Sequence, residues 1–274
     1  MAGYSTSVRA LSSSLLLLHI LMSSLLMITA KNFYPDYYLH DPTCSYINGT
    51  HAYANNLDNL FNDLRNNTPL HDGFFNASSG QEPDRVNGLA LCRGDISAEA
   101  STGLCQACLT NVAVEIKQAC NRSLAAIVWH DFCFLKYSNQ SFFGNIDNVN
   151  TFGLVNRMNV HNPVPFHNAT IEFLGNLTAQ ATDPANTRMF ARGEILIPFS
   201  NGTTIYAMAQ CTRDLASDDC RGCLDGAVKD LPGIVTAVNG TVISMSDGAR
   251  RLTGSCNVSL FKSKVYLFLS LVNS

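Results

Sequence analysis

The residues with the most chemical capacity are ten cysteines, and their spacing is regular. Cys92, Cys105, Cys108, Cys120 and Cys133 fall in one stretch, and Cys211, Cys220, Cys223 and Cys256 form a shorter version of it. Each copy has an Asp three residues after its first cysteine (Asp95, Asp214) and a Cys-x2-Cys pair followed by Leu. Cys105 and Cys220 are 115 residues apart, as are Cys108 and Cys223, so two related modules lie end to end. Three chemistries use such pairs. Zinc wants four ligands, and this spacing supplies two. No His follows His167, however, so the second module would have to bind metal with cysteine alone. A redox pair needs one sulfur at an open helix N-terminus. Here each pair has further cysteines close by that can take each sulfur. Structural disulfides remain.

The compartment favours disulfides as well. Residues 1–30 read as a signal peptide, with Arg9 as the only charge, an apolar core from Leu15 to Leu26 and a small-residue site at Thr29-Ala30. Ten sequons occur, at Asn48, Asn66, Asn76, Asn121, Asn139, Asn168, Asn176, Asn201, Asn239 and Asn257, which fits a chain passing through the secretory pathway. An even cysteine count there reads as a bridge framework. Val265 to Val272 is apolar but too short to span a bilayer, for which about 20 residues are needed. No membrane span is therefore expected in the mature chain. Charged residues are 14% of 274 and the net charge is −3, which argues against nucleic acid as a partner.

The elements that must position the cysteines can be read from periodicity. Tyr34 to His40 is extended. Tyr53, Leu57, Leu60, Phe61 and Leu64 recur at helical spacing over roughly 51–66. Strands follow at 73–76 and 86–93. A second helix runs from about Ser97 to Cys120, with Cys108, Val112 and Ile116 on one face. Ala125 to Tyr137 reads as one central strand, with Ile127, Trp129, Asp131, Cys133 and Leu135 on the same side. The Asn-rich stretch 145–162 reads as a linker. The second module repeats the order: a helix over 168–181 with Ile171, Leu174 and Leu177 inward, strands at 188–196 and 203–211, a helix capped by Ser217, and a last strand at 250–261. Each module is thus α+β, two helices covering one antiparallel sheet. The boundaries are 1–30 for the leader, 31–144 and 163–262 for the modules, and 263–274 for the tail.

Cysteines at i and i+3 share a helix face, so each sulfur can reach a different strand beneath. The short gaps favour Cys92–Cys105 and Cys211–Cys220. Cys108–Cys133 and Cys223–Cys256 would then clip the same helices to the last strands, leaving Cys44–Cys120 by elimination.

The segments Ala90-Leu91-Cys92-Arg93-Gly94-Asp95 and Trp129-His130-Asp131-Phe132-Cys133, with the Cys-x8-Cys-x2-Cys core of module two, resemble the plant ginkbilobin-type, or stress-antifungal, domain. That domain occurs in cysteine-rich repeat secretory proteins and receptor-like kinase ectodomains. The resemblance implies two helices on a five-stranded antiparallel sheet and the same bridge pattern. Module one departs by four extra residues between Cys92 and Cys105, and module two lacks counterparts of Cys44 and Cys120. The family's single-domain antifungal member resembles a mannose-binding lectin, with an Asn, an Arg and a Glu at set distances from its cysteines. In module one those positions are Ser45, Ile127 and Ser138. In module two only Arg250 matches, while the Glu position is Phe261, so Arg250 is the sole retained ligand-binding candidate and would lack an acidic partner.

Other candidates have simpler roles. Trp129 on an apolar strand is expected in the core. His130 and Asp131 are strand neighbours pointing apart, so they form no catalytic pair. Asp218 and Asp219 suit the start of a helix, and Asp95 and Asp214 read as caps. The reading is a secreted, glycosylated, non-enzymatic binding protein of the apoplast in stress or antifungal defence. It needs no cofactor or metal, and its ligand is a cell-wall carbohydrate or a cell-surface protein. The alternatives are a truncated receptor ectodomain or co-receptor acting by protein contacts, and a thiol-disulfide oxidoreductase.

Overall fold

Alternating strands and amphipathic helices give each half of the chain an antiparallel sheet with two helices on one face. The computed structural model describes residues 38–97, 103–155, 160, 163–197, 204–231, 236–238, 241–244 and 249–261. The leader and the apolar tail lie outside the described residues. Module one runs β1 (Tyr38–Cys44), α1 (His51–Asn67), a 3-10 turn (Thr68–His71), β2 (Phe74–Ser79), β3 (Val86–Cys92), one helical turn (Gly94–Ser97), α2 (Leu104–Ala119), β4 (Ala125–His130) and β5 (Cys133–Ser138). Module two runs β6 (Thr151–Val155), α3 (Pro163–Ala181), β7 (Phe190–Leu196), β8 (Thr204–Cys211), α4 (Ser217–Lys229), β9 (Thr236–Val238), β10 (Thr241–Ser244), β11 (Ala249–Thr253) and β12 (Cys256–Phe261).

The strand orders are β1-β4-β5-β3-β2 and β6-β11-β12-β8-β7, so β6 stands in the second sheet where β1 stands in the first. The stretch expected as linker is therefore only partly one. Thr151–Val155 pairs with β11 over five residue pairs, and its short, half-exposed strand carries no clean apolar alternation to betray it.

Two strands expected as single are hairpins. Ala125–Ser138 breaks at Asp131-Phe132, where Arg93 donates its backbone N–H to the Phe132 carbonyl at 2.8 Å. The break inverts the facing of everything after it. Ile127 and Trp129 point away from the helices, whereas Cys133 and Leu135 point toward them. The expected strand 250–261 breaks likewise between Thr253 and Cys256.

Helix α1 begins as its sequence dictates: Thr50 Oγ1 accepts the N–H of Tyr53 at 3.0 Å, capping the first turn. Its apolar stripe, Tyr53, Leu57, Leu60, Phe61 and Leu64, is buried against the sheet. Burying Leu60 and Leu64 completely contributes about 1.5–3 kcal/mol apiece. In α3, Leu174 and Leu177 are buried as the periodicity requires, but Ile171 is exposed and Phe166, Thr170 and Phe173 complete the inner face. Ala216, not Ser217, stands at the N-cap position of α4 and supplies no side-chain cap, and Ser217 already lies inside the first turn.

Five disulfides fasten the helices down: Cys44–Cys120, Cys92–Cys105, Cys108–Cys133, Cys211–Cys220 and Cys223–Cys256. Cys92 and Cys133 face each other across β3 and β5, and Cys211 and Cys256 do so across β8 and β12. One turn of helix spans that interstrand gap, so each Cys-x2-Cys delivers its two sulfurs to two adjacent strands.

Candidate functional site

Alternation along the strands leaves each sheet a second face, away from its helices, and the two second faces meet. From module one come Phe74, Leu89, Leu91, Ile127, Trp129 and Phe134, an apolar surface on which Leu252 and Phe152 of module two pack. Trp129 stacks on Phe134 at 5.9 Å between ring centroids. Its indole Nε1–H donates to the Thr253 carbonyl across the seam at 3.3 Å.

The opposing face of module two is mostly polar: Gln210, Arg250, Asn257 and Ser259 alternate with the apolar side chains of its core. Two of these, Gln210 and Arg250, are matched individually. Gln210 accepts from the Gly94 N–H and donates to the Cys92 carbonyl, both at 3.1 Å. Arg188 donates to the Gly94 carbonyl at 2.6 Å. A side chain on Gly94 would collide with the Phe190 ring, so only glycine permits this approach. Arg250 donates to Asp131 at 2.8 Å, with both side chains under 5% exposed. Burial pulls the Arg250 guanidinium below its usual range, and the adjacent Asp131 carboxylate opposes that pull.

Arg250 therefore has the acidic partner that its own module does not supply. That partner is Asp131 of module one, and the pair lies inside the seam rather than on a ligand-accessible surface. Asp131 comes to it because it sits in the β4–β5 turn. His130 points back under the helices to Glu115, at 2.6 Å. The two neighbours do part, but at a turn rather than by alternation along a strand. Neither Asp95 nor Asp214 caps a helix: Asp95 pairs with Arg93 at 2.6 Å, and Asp214 accepts the Gly144 N–H at 2.9 Å.

The segment joining the modules is pinned at Asp147. Its carboxylate accepts from Lys136 Nζ at 2.6 Å and from Asn150, while its own N–H donates to Ser255 Oγ at 2.8 Å. Burial alone would raise this carboxyl, yet the hydrogen bonds from Asn150 and Lys136 outweigh it and hold the group below the usual carboxylate range. The sequence gives no warning of this anchor inside an Asn-rich connector. The inward-facing role of Gln210 was signalled, since it is an amide standing among apolar neighbours in β8.

The positions that correspond to the family's sugar site come together in module one. Ser45, Ile127 and Ser138 line one cleft of about 340 Å³ beside the β1 edge, with Lys136, Gln140, Phe142 and Asn150 around them. Among its described lining residues the only charged side chain, Lys136, is spent on Asp147 and lies over the Phe142 ring at 4.3 Å. In module two the side chain of Phe261 lies outside the described residues. Asn201 and Asn239 also lie outside them. No cluster of three or more His, Cys, Asp or Glu among the described residues is placed to hold a metal ion. No helix among them is long and apolar enough to cross a membrane.

Comparison with known proteins matches this architecture. The salt stress response/antifungal family model matches residues 42–140 and 155–260. The chain is 40% identical over 230 residues to cysteine-rich repeat secretory protein 38 of Arabidopsis thaliana, covering 82% of this chain and 84% of that one. It is 40% identical over 209 residues to an antimicrobial ginkbilobin-2-like protein of Castanea crenata, covering 76% and 80%. The crystal structure of the tandem DUF26 ectodomain of the Arabidopsis thaliana cysteine-rich receptor-like protein PDLP8 superposes with a TM-score of 0.65 at 20% identity, covering 82% of this chain and 98% of that one. Two matched repeats, secretory relatives and a shared fold make this chain an extracellular member of the salt stress response/antifungal family, with two copies of its domain in tandem.

Proposed function

We propose that this protein is a non-enzymatic binding protein of plant defence, which recognises an uncharged, hydroxyl-rich ligand such as a cell-wall glycan in the module-one cleft. The observation that carries the reading is the lining of that cleft. Ser45, Ser138, Gln140 and Asn150 offer neutral donors and acceptors, Ile127 and Phe142 offer an apolar wall, and the one cation among the described lining residues is already neutralised by Asp147. Concave sites of this kind hold small polar ligands through a few placed groups and an apolar surface. Mannose held by a charged Arg–Glu pair is not the ligand, because Ile127 and Ser138 stand at those positions. The antimicrobial relative supports a defensive setting.

A glycan array probed with the full glycosylated chain tests the reading. Binding to a neutral glycan that is lost in Gln140→Ala and Asn150→Ala supports it; binding that survives both substitutions contradicts it. Thiol titration of the folded chain tests the redox alternative, since all ten cysteines are bridged and nothing should react.

A second reading, recognition of a protein at the cell surface, rests on three apolar side chains flanking cleft residues. Tyr46 is fully exposed, Val149 is 90% exposed and Ile47 is 65% exposed. Tyr46→Ser and Val149→Ser should abolish a protein contact while sparing glycan binding.

A further inference from the structure

The seam has a second opening, and its chemistry differs from that of the cleft. It is a groove of about 520 Å³, within the range of roughly 300–1,000 Å³ typical of small-molecule sites. Module one contributes Asp72, Asn76 and the His71–Phe75 ring pair, whose centroids are 5.1 Å apart; module two contributes Thr187 and Arg213. Arg213 is held in place by the carbonyls of His71 and Phe74, to both of which its Nη2 donates, and by the Phe74 ring beneath it at 5.4 Å. Its Nε and Nη1 groups make no hydrogen bond to any described residue, and neither does the Thr187 hydroxyl. The groove therefore combines free guanidinium donors, a hydroxyl, a carboxylate and an aromatic surface. That mixture suits a pyranose, whose apolar face packs on a ring while its hydroxyl and amide groups are hydrogen-bonded.

A sugar can already be attached at this place. Asn76-Ala77-Ser78 is a sequon in an exported chain. Asn76 lies on β2, the outermost strand of its sheet. Alternation puts it on the same face as Phe74, toward module two, while Phe75 turns toward the helices. Its side-chain amide bonds to no described residue. A group joined to Asn76 Nδ2 would leave the sheet directly into the groove. Asn257 also faces the seam, but it lines a cavity of about 40 Å³, far below the roughly 300 Å³ at which small-molecule sites begin. No sugar ring fits there.

We infer that Asn76 carries an N-glycan whose first sugars seat against Arg213 and Thr187, so that a carbohydrate rooted in module one closes the seam over module two, while Asn257 in the docked molecule carries none. The inference is independent of the ligand proposed for the module-one cleft.

The test uses the full chain secreted from a eukaryotic host. Glycopeptide mapping should find Asn76 occupied and Asn257 bare. Hydrogen exchange at the Thr212 and Leu215 amides should then be several-fold faster in Asn76→Gln and in Ser78→Ala than in the wild type. It should be unchanged in Ser78→Thr, which keeps the sequon, and in Asn121→Gln, which removes an exposed sequon elsewhere. An unmodified Asn76 overturns the inference, and so does an occupied Asn76 whose loss leaves those amides unaffected. If free N-acetylglucosamine slows exchange in a chain bare at Asn76, the groove serves a diffusible sugar and the attached-glycan assignment is wrong.

Discussion

The two modules share a strand order and a pattern of helix-to-strand bridges, but they differ on the faces they turn to each other. Module one presents aromatic and aliphatic side chains; module two presents Gln210, Arg250, Asn257 and Ser259 around Leu252. Two apolar faces would bind without direction and slide. Here Gln210 and Arg250 of module two each have a fixed partner on module one, which sets the register of the docking. The modules differ in fastening as well. Cys44–Cys120 staples the β1 edge of the first sheet, while β6, its counterpart, is held by backbone pairing and by the Asp147 anchor. A duplicated fold thus keeps its internal bridges and diverges where the copies meet.

The largest effect is expected from removing Asp131. Asp131→Ala strands the buried Arg250 charge and should cost about 3–5 kcal/mol in denaturant unfolding of the full chain. Asp131→Leu combined with Arg250→Met should recover most of that, because a well-packed apolar pair replaces a desolvated ionic one. Next is the staple. Cys44→Ser with Cys120→Ser opens a bridge of sequence separation 76, worth about 4 kcal/mol in the chain-entropy model. Hydrogen exchange should then rise along β1 and stay unchanged along β6.

Trp129→Phe keeps a ring against Phe134 but loses the bond to Thr253, a cost of about 1–2 kcal/mol. The smallest effect is the dependence on pH. Because the Asp147 carboxyl is held low, its stabilisation is complete above its unfolded value of about 3.9 and is lost as pH falls through its lower folded value. Lys136→Met should flatten that acid limb in melts recorded between about pH 2 and 5.

Much of this was legible in the sequence. The i, i+3 cysteines and the stripe of α1 encode helix faces directly, so the bridges to adjacent strands and the core beneath α1 follow from spacing. The duplication was legible because the cysteines recur at one interval. The hairpin turns were not. Asp131-Phe132 is flanked by apolar residues on both sides, because one face of β4 is covered by helices and the other by the second module, and this double covering reads as one central strand. β6 is illegible for the opposite reason, since an edge strand half open to water carries no clear pattern. The acidic partner of Arg250 is not legible because it lies 119 residues away in the other module, a pairing that only the docked sheets create.

Scanning calorimetry of the full chain tests most directly whether the seam makes one body of two modules. A single transition with equal calorimetric and van't Hoff enthalpies is expected, and Asp131→Ala should move it to lower temperature as a unit. Two resolved transitions, with Asp131→Ala shifting only one of them, would contradict it.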